Sequence, residues 1–390
     1  MAARWIAMLA LLPATCALHA QTPGSSLRSS LPMQKLSLSS DSALLRGPSK
    51  AVAEESAKSA AVERLRGGSG KSPASFLWNE TVELTVYFAL WYWGNTYYNI
   101  YNKKAMNLLG GSKGGLVWTV SSAQLFVGIL WVIPLWILGI RTSPKMTADN
   151  WKQMAPIGLW AAGAHGGSVI SLGAAAVSFA QILKACEPVF SAANEALLLG
   201  KVQAWPVYAA LLPIIGGVAL ASVKELSFSW LSVISAMIAN QCAALKGVQG
   251  KDIMKQPWVK AMGPANQYGV VNMLAFLWTL PIVFAVEGPK AMDSWNNAMR
   301  KGSKKEDVLK NVVFSGLTFY LYNEVSFLCL GKVTPITHSV ANTLKRVVVL
   351  VVSCIVFNTP VSRESIIGST IAILGTLLYS LAKQKYGGGH

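Results

Sequence analysis

Apolar blocks long enough to span a membrane fill the chain from about residue 80 onward, with short polar connections between them. No residue between Lys152 and Lys184 carries a full charge, and the same holds from Gly114 to Ile140. A bilayer core about 30 Å thick is crossed by about 20 residues of helix, whose backbone groups bond within the segment. The pattern therefore predicts an all-α membrane protein with many spans.

Ten such blocks predict ten transmembrane helices. They lie at about 81–102, 115–140, 151–173, 176–199, 204–223, 228–250, 265–287, 306–330, 335–357 and 363–383. Only the connection around "EGPKAMDSWNNAMRKGSKKEDVLK" is long. An even number of spans places both ends of this domain on one side of the membrane. Basic residues occur in the loops of both sides, so their distribution leaves the orientation open.

Two stretches in different halves of the chain resemble each other. Lys184 in "VSFAQILKACEPVF" aligns with Lys345 in "HSVANTLKRVVVLV", and the first and sixth spans end in "NKKAM" and "GKDIM". Five helices per half is an odd number, so the second copy would enter the membrane inverted, as in many secondary transporters. The sequence predicts a ten-helix transporter domain at about 76–385, with inverted five-helix repeats at about 80–225 and 226–385.

The first 75 residues have the composition of targeting segments. Residues 1–20 combine an early arginine, a short apolar stretch and small residues near a cleavage position, which is typical of a signal peptide. Residues 21–75 are rich in serine, and their first acidic residue is Asp41, as in a transit peptide or a disordered segment. Together they resemble the bipartite presequence of proteins that enter a complex plastid. A secretory signal followed by a disordered tail is the alternative.

Composition narrows the possible functions. The chain is 53% hydrophobic and 13% charged, against about 25% charged residues in soluble domains. Its net charge of +17 is spread through the loops and the N-terminal region, without a basic, aromatic-rich face or a nucleic-acid-binding module. These features predict membrane lipid, and not nucleic acid, as a partner. No metal-ligand spacing, nucleophile–base pattern or phosphate-binding loop occurs, so neither an enzyme nor a cofactor or metal is predicted.

Four cations inside the predicted spans are candidates for function. Lys184 lies in the fourth span, Lys345 and Arg346 lie in the ninth, and Lys246 lies late in the sixth. A cation at the centre of a membrane helix costs at least about 2.5–3.5 kcal/mol, so such residues usually face a cavity and carry function. For Lys246 the alternative is a long side chain that extends to the membrane surface.

Acidic residues at depth are fewer. Glu187, Glu195 and Glu324 are the candidates, and structural ion pairs with the cations are favoured over proton relay. Pro188 follows Glu187 and predicts a kink that exposes backbone carbonyls. Cations still outnumber acids in the spans, and lysine with arginine binds phosphate well. The surplus therefore predicts an anionic, phosphorylated substrate.

Three stretches carry a resemblance to a known family. "AVSFAQILKACEPVFSAANEALLLG" and "YLYNEVSFLCLGKVTPITHSVANTLKRVVVL" resemble signature segments of the plastid phosphate translocators, in the drug/metabolite transporter superfamily. "LWYWGNTYYNIYNKKAMN" is similar to the first-helix segment of that family. The resemblance covers about residues 80–385. It implies ten helices in two inverted halves, and exchange of a phosphorylated three-, five- or six-carbon metabolite, or phosphoenolpyruvate, for inorganic phosphate.

The resemblance also implies a substrate-binding site. Its seven side chains are Lys184, Lys345, Arg346, His165, Ser168, Lys246 and Tyr322. The first three would hold phosphate. The histidine, the serine and the tyrosine would bind the rest of the substrate and help to bind phosphate. On sequence alone, His165 could equally be a packed, hydrogen-bonded core histidine, and a tyrosine placed like Tyr322 is more often an ordinary aromatic core residue.

Two departures from the family pattern affect substrate choice. The triose-phosphate branch usually has an arginine where this chain has Lys246, and its hydroxyl residue, sometimes threonine, is here Ser168. Lysine keeps the charge of arginine but lacks its two-pronged geometry for a carboxylate. The histidine-plus-hydroxyl pattern favours the triose-phosphate branch, because the hexose-phosphate branch typically has alanine for the hydroxyl residue and the phosphoenolpyruvate branch usually lacks the histidine.

These features predict an antiporter that exchanges dihydroxyacetone phosphate or 3-phosphoglycerate for inorganic phosphate across a plastid envelope membrane by alternating access. A phosphoenolpyruvate/phosphate or hexose-phosphate/phosphate exchanger is the near alternative. A nucleotide-sugar transporter and an anion channel are more distant ones. The oligomeric state and the particular plastid membrane stay open.

Overall fold

Helices form the regular structure of the computed structural model, which describes residues 80–387. Within that range the chain contains no β-strand, as expected for backbone that must satisfy its hydrogen bonds inside a membrane. The all-α class is confirmed. The predicted signal-like segment (1–20) and transit-like segment (21–75) lie outside the described residues.

Fourteen α-helices lie in the described range. They are α1 (Glu80–Leu108), α2 (Val117–Ile137), α3 (Ala148–Ala174), α4 (Val177–Leu183), α5 (Glu187–Leu199), α6 (Trp205–Ala209), α7 (Leu211–Val223), α8 (Trp230–Ile253), α9 (Pro257–Met262), α10 (Pro264–Ile282), α11 (Ala291–Arg300), α12 (Lys305–Leu330), α13 (Pro335–Phe357) and α14 (Arg363–Tyr386).

Seven helical stretches in residues 80–387 are long and apolar enough to cross a membrane. They are Val117–Ile137, Trp205–Val223, Trp230–Ile253, Pro264–Arg300, Lys305–Leu330, Thr337–Phe357 and Arg363–Tyr386. Three stretches that the sequence also predicts as spans, namely α1, α3 and the α4–α5 segment, are not among these seven. The confirmed architecture is therefore a helical membrane protein with seven candidate spans in the described range.

The helix predicted at 176–199 is interrupted near its middle. α4 ends at Leu183, a 3₁₀ turn covers Lys184–Cys186, and α5 starts at Glu187 with Pro188 in its first turn. Proline has no N–H to donate to the carbonyl four residues earlier, which here belongs to Lys184. That carbonyl instead accepts from the backbone N–H of Glu187 and from the guanidinium of Arg346. The helix is thus interrupted where Pro188 predicts a kink, and the interruption leaves a backbone acceptor at Lys184, a predicted site residue.

The connection after α10 is not a simple loop. A π-helical turn, Val283–Glu287, precedes a 3₁₀ turn and α11. The Glu287 carboxylate accepts from the backbone N–H groups of Trp118 and Thr119, both at 2.8 Å, at the start of α2. An acid at a helix N-terminus satisfies groups that have no partner within the helix.

Helix pairs in close contact build the body of the protein. α1 packs along α12, α3 packs along α8, and α7 packs along α14. α7 and α14 lie close together where both have small residues. A Cβ on Gly217 would lie only 2.5 Å from the backbone nitrogen of Ala372. Such close approach of backbones is typical of helix packing in membranes.

The helix ends lie on two faces. Lys332, just after α12, pairs with Glu83 near the start of α1, and Ser303, just before α12, bonds to Leu108 at the end of α1. α1 and α12 are therefore antiparallel. Because the connections are short, α5, α8, α12 and α14 end on the face where α1 begins, which we call the terminal face. α1, α3, α7 and α13 end on the opposite face.

Candidate functional site

A cavity of about 300 Å³ lies between α1, α3, α8, α12, α13 and the break after α4. It brings together all seven side chains proposed from the sequence: Lys184, Lys345, Arg346, His165, Ser168, Lys246 and Tyr322. The two halves of the chain both contribute to it. The geometry places these residues at one site, and their roles in binding stay predictions.

The cavity wall carries more positive than negative charge. Lys184, Lys246, Lys345 and Arg346 line it, and Glu187 is the one carboxylate among its described lining residues. Arg346 Nη2 lies 2.6 Å from Glu187 Oε2. The three lysines form no ion pair within 4 Å in the described part of the chain. An anion is the ligand that this arrangement favours, because each ammonium still has donors free.

Two aromatic rings surround the Lys345 ammonium. Its Nζ lies 5.0 Å from the centroid of the Trp91 ring and 5.6 Å from that of Tyr322. Trp91 is buried and stacks on His338 with a centroid distance of 4.7 Å. Aromatic faces attract a cation without accepting conventional hydrogen bonds from it. The rings thus stabilise the charged lysine while leaving its three N–H donors for a ligand.

Several buried polar atoms around the cavity have no hydrogen-bond partner among the described residues. They are Trp91 Nε1, Tyr98 Oη, His165 Nδ1, His165 Nε2, Tyr268 Oη and Asn272 Oδ1. Buried polar groups in folded proteins are nearly always bonded, so such a cluster around one cavity points to a polar ligand. The His165 ring also packs on Phe319, with centroids 4.0 Å apart. His165 is therefore a buried, tightly packed side chain on the cavity wall, and its part in binding stays a prediction.

Amide side chains fix the break after α4 in place. Gln181 Nε2 donates to Asn99 Oδ1 of α1 at 2.9 Å, and Asn240 Nδ2 of α8 donates to the carbonyl of Leu183 at 2.9 Å. The polar residues of α1 were missed as site residues. Their sequence signal was the spacing of Trp91, Asn95, Tyr98 and Asn99, which places them on one face of the helix.

Comparison with known proteins identifies the family. The Triose-phosphate Transporter family matches residues 82–380 of the chain. The protein belongs to this family.

Curated relatives of this transporter are plastid phosphate translocators. Glucose-6-phosphate/phosphate translocator 1 of Arabidopsis thaliana is 37% identical over 303 residues, which cover 77% of this chain and 76% of the relative. The triose phosphate/phosphate translocator of Spinacia oleracea is 35% identical, with coverage of 82% and 77%. Phosphoenolpyruvate/phosphate translocator 1 of Arabidopsis thaliana is 34% identical, with coverage of 78% and 72%.

The transporter has a second cavity, of about 530 Å³, between α5, α8, α13 and α14. We call it the vestibule. Glu187 and Arg346 line both the vestibule and the first cavity. Glu195, Lys251 and Lys383 lie at its other end, close to the terminal face. The vestibule therefore lies between the cationic cavity of the transporter and one of its two faces.

The other acids named from the sequence are paired in this transporter. Glu195, which is buried, lies within 4 Å of both Lys251 and Lys383. Glu324 Oε2 lies 3.1 Å from Arg141 Nη1. These contacts, with that of Glu187, agree with structural ion pairs and leave no unpaired acid among the three candidates for proton relay.

Proposed function

We propose that the protein is an antiporter that exchanges dihydroxyacetone phosphate or 3-phosphoglycerate for inorganic phosphate by alternating access. The observation that carries this proposal is the cavity in which three lysines without carboxylate partners lie beside Arg346. A phosphate group carries about −1.5 to −2 charges at neutral pH, which matches a site with surplus cations.

Each predicted site residue has a role in this proposal. Lys184, Lys345 and Arg346 hold the phosphate group through charge-assisted hydrogen bonds. His165, Ser168 and Tyr322 bind the carbon skeleton, because they line the same cavity as the three cations.

Lys246 is the residue that binds the carboxylate of 3-phosphoglycerate. It lines the cavity from α8 and is free of an ion pair within the described residues. An ammonium attracts a carboxylate as a point charge but does not provide the paired geometry of a guanidinium. The proposed preference is therefore for dihydroxyacetone phosphate over 3-phosphoglycerate.

Coupling of the two fluxes follows from the charges. In the absence of an anion, cations in a low-dielectric cavity repel one another, and closing the cavity over them is unfavourable. A bound phosphate or phosphate ester neutralises them and lets either face close. The protein then changes state only when it is loaded, so one anion leaves for each one that enters.

Helix packing supports ten spans in two inverted repeats. In that arrangement the first span corresponds to the sixth, and the third corresponds to the eighth. α1, the first span, packs along α12, the eighth. α8, the sixth span, packs along α3, the third. In each pair, the first helix of one repeat therefore packs on the third helix of the other. α7 and α14, the last helices of the two repeats, pack on each other. The proposed repeats occupy about residues 80–225 and 226–385.

A plastid envelope membrane is the proposed location. The relatives named above are chloroplastic proteins, and the N-terminal composition of this chain resembles a plastid presequence. A protein of a complex plastid would carry both a signal-like and a transit-like segment.

A hexose-phosphate/phosphate exchanger is the second candidate. The relative with 37% identity is named as a glucose-6-phosphate/phosphate translocator. The vestibule beside the phosphate-binding side chains also presents hydroxyl groups from Ser339, Thr343 and Ser380, which suit a polyhydroxylated chain. Phosphoenolpyruvate exchange rests on a relative alone.

Exchange in liposomes tests the proposal. Purified protein is reconstituted, and uptake of labelled phosphate is measured against internal phosphate, dihydroxyacetone phosphate, 3-phosphoglycerate, phosphoenolpyruvate or glucose 6-phosphate. We expect the triose phosphates to support uptake at a rate close to that of internal phosphate. Faster uptake with glucose 6-phosphate would replace the triose assignment by the hexose alternative. Competition by nucleoside monophosphates, or single-channel currents, would overturn phosphate antiport itself.

A further inference from the structure

A lysine near the end of α1 bonds to the end of α3. Lys103 Nζ donates to the carbonyl oxygens of Leu172 at 2.9 Å and Ala175 at 2.8 Å. The last carbonyls of a helix have no partner within the helix, and they form the negative end of its dipole. An ammonium at this position therefore holds two otherwise free acceptors, on the face opposite to the terminal face.

This contact joins two groups of helices. α1 packs against α12 and α13, which we call group 1, and α8 packs against α3 and α5, which we call group 2. Lys103 belongs to group 1, and its two acceptors belong to the end of α3 in group 2. Leu172 also packs in a buried apolar cluster with Val349 of α13, so the same face is closed by hydrophobic contact across the groups.

Lys251 is the counterpart of Lys103 in the second half of the chain. The two occupy the same position in "NKKAM" and "GKDIM". Lys251 lies near the end of α8, at the terminal face, and its ammonium contacts the Glu195 carboxylate of α5. Both of these residues belong to group 2. At the terminal face, the lysine that corresponds to Lys103 thus bonds within its own group, and the vestibule lies beside it.

We propose that Lys103 and Lys251 are a pair of alternating latches, each of which bonds across the two groups only when its own face is closed. In the structure Lys103 bonds to the end of α3, which corresponds to closure of the face opposite to the terminal face. When the vestibule closes, Lys251 leaves Glu195 and donates to backbone carbonyls at the end of α12, the repeat counterpart of the end of α3. Lys103 then releases α3. This inference rests on the proposed antiport function, which requires both faces to open in turn.

Glu195 is suited to release Lys251. A buried carboxylate without a partner is strongly destabilising. If Lys251 were the only partner of Glu195, its departure would therefore be unfavourable. Glu195 is also held by Lys383 of α14, whose Nζ lies 2.6 Å from Oε2. The carboxylate therefore keeps one ion pair after Lys251 moves away.

Cysteine labelling of the vestibule tests the proposal. Ser191 lines the vestibule and is replaced by cysteine in a variant without the native cysteines. Its rate of modification by a membrane-impermeant maleimide is then compared between Lys103→Met, Lys251→Met and the unmodified lysines. Methionine keeps much of the apolar stem and removes the ammonium. Lys224→Met is the control, because Lys224 forms an exposed ion pair with Glu364 and lines neither cavity.

The two lysine variants are expected to differ in vestibule labelling. Lys103→Met should lower vestibule labelling by about tenfold, because a lost charge-assisted hydrogen bond moves a two-state equilibrium by about that factor. Lys251→Met should maintain or raise labelling, and Lys224→Met should leave it unchanged. Equal shifts in the same direction for both lysines, or no shift in either, would overturn the proposal, since loss of packing alone has no preferred face.

Two further variants cover the case in which Lys103→Met fails to fold. Lys103→Arg keeps a cationic donor and should restore labelling. Glu195→Gln frees Lys251 without touching Lys103 and should lower labelling, as Lys103→Met does; a rise would contradict the latch. Phosphate exchange is measured on the same samples. Absence of exchange in the unmodified protein rejects the proposed function, whereas normal exchange with unchanged labelling in all variants rejects the latches alone.

Discussion

Arg346 of α13 donates a hydrogen bond to the backbone carbonyl of Lys184, at the break between α4 and α5. This contact joins the two stretches of the chain that resemble each other. The carbonyl is available because Pro188 has no N–H to offer it. Pro188, in the first half of the chain, thus lets Arg346 of the second half approach Lys184. Arg346 and Lys184 are the two residues that we propose bind phosphate side by side.

Removal of the Lys345 ammonium should abolish most exchange. Lys345→Ala removes a charge-assisted hydrogen bond to phosphate, and such bonds contribute about 1.5–3 kcal/mol each. Since about 1.4 kcal/mol corresponds to a tenfold change in rate, exchange at low phosphate concentration should fall by about 10- to 100-fold. Labelled-phosphate exchange in liposomes measures this. Lys224→Ala, at an exposed ion pair, is the control and should exchange normally. Full activity of Lys345→Ala would mean that Lys345 does not contact the substrate.

Trp91 should influence phosphate affinity without touching phosphate. Its ring lies 5.0 Å from Lys345 Nζ, and a cation–π contact contributes about 0.5–2 kcal/mol. Trp91→Leu should therefore raise the KM for phosphate by about 2- to 30-fold. Trp91→Phe keeps an aromatic face and should have a smaller effect. An equal loss in both variants would indicate a packing defect instead of a cation–π contact.

Glu187 should stabilise the protein mainly when phosphate is absent. Glu187→Gln leaves the Arg346 guanidinium without its carboxylate, which is unfavourable for a mostly buried charge. We expect a lower melting temperature in detergent without phosphate, and a larger stabilisation by saturating phosphate than in the unmodified protein. Glu364→Gln removes an acid at the surface pair and should respond to phosphate normally. The same phosphate response in Glu187→Gln would separate Glu187 from the binding site.

Lys246 should control the choice between a carboxylate-bearing substrate and one without a carboxylate. Lys246→Arg provides a planar fork that bonds a carboxylate through two parallel N–H groups. The ratio of exchange with 3-phosphoglycerate to exchange with dihydroxyacetone phosphate should rise in this variant and fall in Lys246→Met. An unchanged ratio in both would place the carboxylate away from Lys246.

Two adjacent glycines of α7 should differ in their tolerance of alanine. A Cβ on Gly217 would lie 2.5 Å from the backbone nitrogen of Ala372, whereas one on Gly216 meets nothing within 4 Å. Gly217→Ala should lower the melting temperature by several degrees, because overpacking costs about 1–3 kcal/mol. Gly216→Ala should be neutral or slightly stabilising, since alanine favours helices. Similar melting temperatures for both variants would argue against close packing of α7 on α14.

Much of the site could be predicted from the sequence because charge in an apolar span is costly. Lys184, Lys345 and Arg346 were found in this way, and the structure places all three at one cavity. The polar residues of α1 were less visible. An asparagine such as Asn95 has no charge, so it stands out only when its position on a helix face is considered.

The fold was predicted in outline, and its interruptions less well. The all-α class and most helix ends agree with the apolar blocks, because a membrane leaves few other options. Pro188 predicted the interruption after α4, because a proline removes a hydrogen bond within its own turn of helix. α11 was missed because its apolar residues, such as Trp295, cover the ends of α1 and α12, and a contact between distant segments leaves no continuous apolar block.

Uptake of labelled phosphate into vesicles with and without an internal anion tests phosphate antiport most directly. The surplus of cations in the cavity predicts rapid uptake when the vesicles contain phosphate, and almost none when they contain no transportable anion. Rapid uptake into vesicles without an internal anion would contradict the proposal, because the empty protein would then change state as readily as the loaded one.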